Sequence, residues 1–256
     1  MTFEPRDLPA DVAGVRDDHA PDAVVLDFSN DFETLSQRAL DDIATRADGL
    51  SPVDYDANWL PADAPAMLQR LATNDLVVGM PGDGSIAWTR QTTPPFVIVK
   101  SRVEGSPAEF VDFLVAEALV EVGLDVPEHF LGFFEDEYRE FANSVDRDPA
   151  TTYQLAVAVY DAYRGLHTRE VFEAWADEYP RLHDAWGDAG ERLEPRLSDL
   201  SSAVARGETA LGDAAELACS AVKHGLDVPT PFAALDSAAY RQYGASYAVK
   251  WADKVF

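Results

Sequence analysis

The run Leu76-Val77-Val78-Gly79-Met80, Pro81-Gly82-Asp83-Gly84-Ser85, Ile86-Ala87-Trp88-Thr89-Arg90, Gln91-Thr92-Thr93-Pro94-Pro95, Phe96-Val97-Ile98-Val99-Lys100 decides the fold class of this chain. Short apolar, partly β-branched stretches alternate here with glycine- and proline-bearing turns, the pattern of paired strands. It predicts a three-stranded antiparallel meander over about 75–103. Ser106-Pro107-Ala108-Glu109 comes next, with a hydroxyl placed as N-cap, a proline at the first helical position and a glutamate set for a capping box. The helix it opens runs to about Val122 with only Glu109, Asp112, Glu117 and Glu121 as polar positions, so protein should cover most of its circumference.

Downstream of this helix the chain reads helical. An aromatic-rich segment carries Phe130, Phe133, Phe134, Tyr138 and Phe141, Asp148-Pro149 opens a long helix toward Trp175, and Pro180 and Pro195 divide the stretch beyond it. Further helices are predicted near 211–224 and 232–255. Upstream, residues 1–22 are rich in proline and acid and read as a loosely ordered lead-in. Asn30 or Asp31 is placed to cap a helix reaching about Ala47, and a short helix is predicted around 67–71. Gly123-Leu124-Asp125-Val126-Pro127, Phe130, Tyr138 and Arg139 recur 102 residues later as Gly225-Leu226-Asp227-Val228-Pro229, Phe232, Tyr240 and Arg241. The echo suggests two helix–turn–helix corners, and leaves duplication and convergence equally open. The expected architecture is one α+β domain over 23–256, a small meander beside a mainly helical body over about 106–256.

Acidic residues number 46 against 20 basic ones, a formal net charge of −26, and only four of the basic residues are lysines. Such a chain repels itself in dilute buffer, and in molar salt the screening length falls to roughly 3 Å. A salt-loaded cytoplasm is the expected setting, and nucleic acid is an unfavourable partner. Cys219 is the only cysteine, so no internal disulfide forms. The N-terminus lacks a basic and apolar leader, and no apolar run approaches the roughly 20 residues of a membrane span.

No HExxH, CxxC, GxSxG or GxxxxGK[ST] pattern occurs. His167 and Glu170 share a helical face but lack further ligands of a metal site, so neither a metal nor another cofactor is expected. Two acid-free stretches stand out, 84–103 with Arg90, Lys100 and Arg102, and 237–252 with Arg241 and Lys250. If the meander and the final helix pack together, these cations would form one positive face for a small anion or an acidic protein partner.

The glycine turn at Gly82 and Gly84, a strand ending in Lys100 and a buried-looking helix with Glu117 occur in an order similar to the N-lobe of kinase-like phosphotransferases. That resemblance implies that Lys100 would contact nucleotide phosphates and pair with Glu117. The C-terminal half departs from it: every asparagine (Asn30, Asn58, Asn74, Asn143) precedes residue 144, leaving none for the metal-binding position of a catalytic loop. Trp88 to Pro95, Gly123 to Phe134, and Pro231 through Tyr247 to Ala252 resemble an uncharacterised family of halophilic archaea, a domain of unknown function. The expectation is a non-catalytic cytoplasmic binding or interaction protein. The alternative is a degenerate kinase-like or other nucleotide- or anion-binding protein using Lys100 and Glu117.

Overall fold

The computed structural model describes residues 2–256, which divide into two compact units, neither continuous in sequence. One takes the chain up to Asp54 together with 70–128 and 179–185, and the other takes 55–69, 129–178 and 186–256. The architecture is mixed α and β, mainly helical, with small sheets.

A four-stranded sheet organises the first unit. Its strands lie in the order β1 (Phe3–Pro5), β2 (Val24–Phe28), β6 (Phe96–Val99), β4 (Ile86–Thr89). Phe3 pairs with Phe28 and Ile86 with Val99 in antiparallel ladders, whereas β2 and β6 run parallel with Val24 opposite Phe96. A second, two-stranded sheet joins β3 (Gly49–Leu50) to β5 (Thr92–Thr93). Side chains alternate along a strand, so Phe96, Ile98 and, one step beyond, Lys100 share a face. On that face Phe96 and Ile98 pack with Phe3, Leu26, Phe28 and with Ala39, Leu40 and Ile43 of α2 (Gln37–Arg46). The opposite face carries α4 (Ala108–Gly123), where Trp88, opposite Val97, donates its indole N–H to Glu121 at 2.8 Å. α1 (Ala10–His19) packs along α4, and Arg181 fastens both by donating to Asp11 and Asp112 at 2.7 Å.

The structure corrects several expectations. Residues 3–19 are ordered as β1 and α1, whose Val12 and Val15 are fully buried; helix burial supplies the order that acid and proline content alone argued against. The three-stranded meander is a β4–β6 hairpin completed by N-terminal strands. Residues 76–80 form no strand: Val77 and Val78 are buried, but their carbonyls accept from the Gln91 side chain and the Leu35 N–H. α2 is capped by Ser36, not Asn30 or Asp31. At the start of α4, Pro107 holds the cap position and no side chain caps it, Ser106 turning back to the Val103 carbonyl instead.

The second unit is helical: most of α3 (Ala66–Leu71), α5 (Phe130–Phe134), α6 (Glu137–Val145), the 30-residue α7 (Pro149–Glu178), most of α8 (Pro180–Ser198), α9 (Leu200–Ala205), α10 (Leu211–Ser220) and α11 (Ala238–Val255). Pro195 lies inside α8 rather than ending it. Asp148 caps α7 as the Asp-Pro pair predicts, its carboxylate accepting from the Ala150 and Thr151 N–H groups at 3.1 Å. Phe130, Phe134, Tyr138, Phe141, Tyr153 and Tyr160 make an aromatic core with Tyr240 of α11, whose hydroxyl donates to the Val159 carbonyl at 2.7 Å. The two Gly-Leu-Asp-Val-Pro corners are physically different. Gly123 ends α4 where any Cβ would lie 2.3 Å from the His19 carbonyl oxygen, so it permits close helix approach; Gly225 adopts φ +64°, a left-handed cap. The same residue answers two local demands, which favours convergence.

Candidate functional site: a polar cavity on the helical unit

Lys100 sits just past the C-terminal end of β6, beside the loop that leaves β2, where open sheets with parallel strands commonly hold ligands. Here that crevice is closed. Phe32 lies 4.8 Å from the ammonium, and Gly79, at φ +78°, packs so tightly that a Cβ would meet the Glu33 carbonyl oxygen at 2.6 Å and the Phe32 ring at 2.7 Å. Lys100 is 0% exposed and its Nζ has no hydrogen-bond partner among the described residues. Burial lowers its pKa, against the opposing pull of Asp83. Glu117 stands on α4, across the sheet from the face that Lys100 shares with Phe96 and Ile98, so the lysine–glutamate pair implied by the kinase-like order does not form. Strand alternation is the reason.

Three of the other expected cations are engaged within their own unit. Arg102 bridges Asp31 at 2.6 Å and Glu33 at 2.7 Å; Arg90 donates to the Leu124 and Val126 carbonyls and lies over Trp88. Arg241 grips Glu170 at 2.6 Å, and Lys250 lowers the pKa of Glu137 against the burial that raises it.

A cavity of about 190 Å³ opens elsewhere, on the helical unit. One wall is the 61–65 segment, which Arg139 of α6 holds by donating to the Asn58 and Leu60 carbonyls. A second is the face of α6 carrying Tyr138, Ala142 and Asn143, positions one turn apart. The third is the α6–α7 junction: Asp146, in the left-handed region at φ +46°, turns the chain so that Asp146, Arg147, Pro149 and Thr152 line the cavity. Arg147 is fixed by the Thr152 hydroxyl on its carbonyl at 3.3 Å and by the Phe256 ring 5.6 Å from its guanidinium. Its one side-chain hydrogen bond goes to the Asp146 carbonyl at 3.0 Å, leaving most of its five donors available.

Tyr138 is 2% exposed, its ring packed against Phe130 and Phe134, and its side chain lines the cavity with no hydrogen bond to its hydroxyl among the described residues. Burial, and then the charge of Asp63, push its pKa up, so it remains a neutral donor. Among the described residues Asp63 and Asp146 form no ion pair, although both belong to the cavity wall. Sequence reading missed this site. Tyr138 was visible as core, and the one local signal was Asp146-Arg147-Asp148, an arginine flanked by two acids immediately before a strong helix start.

A third polar cluster ties the β4–β5 connection. Glu128 accepts from the Arg90 N–H at 2.8 Å and from Gln91 at 2.7 Å, and burial raises its pKa to about 7. Gln91, 2% exposed, also donates to Val77, so this network holds backbone in place. His167 lies 4.7 Å from the Tyr163 ring, and Glu170 is taken by Arg241. Among the described residues no group of three or more His, Cys, Asp or Glu side chains could hold a metal ion, and no helix is long and apolar enough to cross a membrane.

The family model of a family of unknown function, DUF7089, matches residues 2–256, and the chain belongs to that family. No curated protein and no solved structure matches the chain.

Proposed function

We propose that this chain is a non-catalytic binding protein that holds a small polar ligand in the cavity between the 61–65 segment, α6 and the start of α7. The observation that carries this reading is the make-up of the cavity wall, where Tyr138, Arg147, Asp63 and Asp146 line one concavity and no ion pair among the described residues takes up the three charges. A bound ligand, or water held in its place, would partner these groups. A volume of about 190 Å³ lies below the usual range for drug-sized ligands, which limits the occupant to a compact molecule.

The test is a thermal-shift screen of small polar metabolites in molar KCl, on the parent and on Tyr138→Phe. A ligand at about a hundred times its dissociation constant adds about 2.7 kcal/mol of stability. The proposal expects at least one compound to raise the melting temperature of the parent and to lose much of that effect on the variant. No shift across the screen, or equal shifts on both proteins, would overturn it.

A second reading places a small oxygen acceptor at Lys100, supported by its unpartnered ammonium. Asp31, Glu33 and Asp83 act on that lysine, an environment that disfavours a polyphosphate such as a nucleotide. The acid excess of the whole chain fits work in a salt-rich cell interior, and that setting is part of the proposal.

A further inference from the structure

We infer that the ligand of the Tyr138 cavity is a zwitterion of the α-amino-acid class, carrying a carboxylate and an ammonium on one compact body. This inference rests on the proposed cavity function and adds the ligand's chemistry to it. The cavity wall holds charges of both signs that the fold leaves unspent. Among the described residues Arg147 has no carboxylate partner, in a chain with 46 acidic residues, and Asp63 and Asp146 have no basic partner. Arg102, Arg181 and Arg241 are each held by carboxylates, whereas Arg147 lines the cavity without one among the described residues. Arg147 is kept from its neighbours by its place over the Phe256 ring and by its bond to the Asp146 carbonyl.

A simple dianion such as phosphate would face Asp63 and Asp146, and a simple cation would face Arg147. A zwitterion answers both. Its carboxylate suits the forked guanidinium, near the start of α7, whose residues Pro149 and Thr152 also line the cavity. Its ammonium suits the two aspartates, and Tyr138 offers a hydroxyl to either oxygen. Pro61, Ala64, Pro65, Ala142 and Pro149 give apolar wall for a short side chain. The size agrees: a cavity of about 150 Å³ in another protein takes benzene, so about 190 Å³ accommodates an amino acid of middling size.

The experiment is calorimetric titration of the full chain in molar KCl with free L-α-amino acids, and with the N-acetyl and the amide derivative of any that bind. Saturable binding of at least one free amino acid is expected. The N-acetyl form, lacking the ammonium, and the amide form, lacking the carboxylate, should each bind at least about tenfold more weakly, which is about 1.4 kcal/mol. Arg147→Met should abolish the difference between acid and amide, and Asp63→Asn should reduce the difference between amine and N-acetyl amine. If a derivative binds as well as its parent, or if only ligands of a single charge bind, the zwitterion assignment is overturned while the cavity reading survives. If no amino acid binds and the metabolite screen also shifts nothing, both fall together. The two variants retain the α6 and α7 packing residues, and near-unchanged far-ultraviolet circular dichroism would establish that they fold.

Discussion

Replacing Lys100 by methionine should stabilise the protein. The side chain is 0% exposed, its ammonium has no acceptor, and its closest compensation is the face of Phe32 at 4.8 Å. Burying an ammonium costs several kcal/mol after relaxation, and a desolvated cation–π contact returns about 2 kcal/mol. Attraction from Asp83, Glu33 and Asp31 is offset in part by repulsion from Arg102. Methionine keeps nearly the same length and flexible shape without the charge, so the expected gain is about 2 kcal/mol, or about 5 °C in the melting of the sheet-bearing unit. The dependence on pH has a definite sign. Burial depresses the folded-state pKa below 10.5, so the native chain binds this proton less well than the unfolded one. The handicap is therefore complete below the depressed value and fades as the pH rises toward 10.5, where the lysine is neutral in both states. Thermal melts in molar KCl should show Lys100→Met above the parent at neutral pH, with the gap narrowing under alkaline conditions. A variant that melts at or below the parent temperature at neutral pH would refute the reasoning, because it would mean that the ammonium is satisfied.

Three further outcomes rest on the same structure. Glu128 has a folded pKa raised from 4.5 to about 7, so it weakens the native state increasingly as the pH rises from 4.5 through 7; the loss amounts to about 3 kcal/mol, and pH-dependent denaturation of Glu128→Gln should lack that decline. Arg181→Gln should cost about 2 kcal/mol, because the guanidinium joins α1 to α4 through Asp11 and Asp112; it holds the Asp11 pKa low, so the parent's advantage should disappear as acid protonates that carboxylate, which urea titrations from neutral to acidic pH would reveal. If the net charge of −26 reflects adaptation to salt, cooperative tertiary structure should be lost as KCl is withdrawn and regained on its return, and a melting temperature independent of KCl would reject that idea.

Where local chemistry decides an element, it was legible in the sequence. Asp148-Pro149 announced α7, the sparse polar positions of α4 announced its burial, and the segments before and after Thr92-Thr93 announced the β4–β6 hairpin. The parallel pairing of β2 with β6 was not legible, since about 70 residues separate the strands and no turn signal links them. Residues 76–80 have the composition of a strand but satisfy their carbonyls through Gln91 and Leu35, a choice made by distant partners. The face of Lys100 could have been read, because it shares the parity of Phe96 and Ile98; the kinase-like order of motifs drew attention to Glu117 instead. The cavity depends on Arg139 anchoring the 61–65 segment to α6 and on the turn at Asp146, contacts that span tens of residues and leave only the Asp146-Arg147-Asp148 triplet as a local trace.

The most direct measurement of the central claim is chemical-shift mapping of the isotopically labelled chain in molar KCl on addition of the best compound from the metabolite screen. Saturable shifts should concentrate on 61–65, Tyr138, Ala142, Asn143 and 146–152, with the Tyr138 ring among the largest. Shifts confined to other surfaces, such as the loops around Lys100, or no saturable shift at the Tyr138 cavity, would contradict the account.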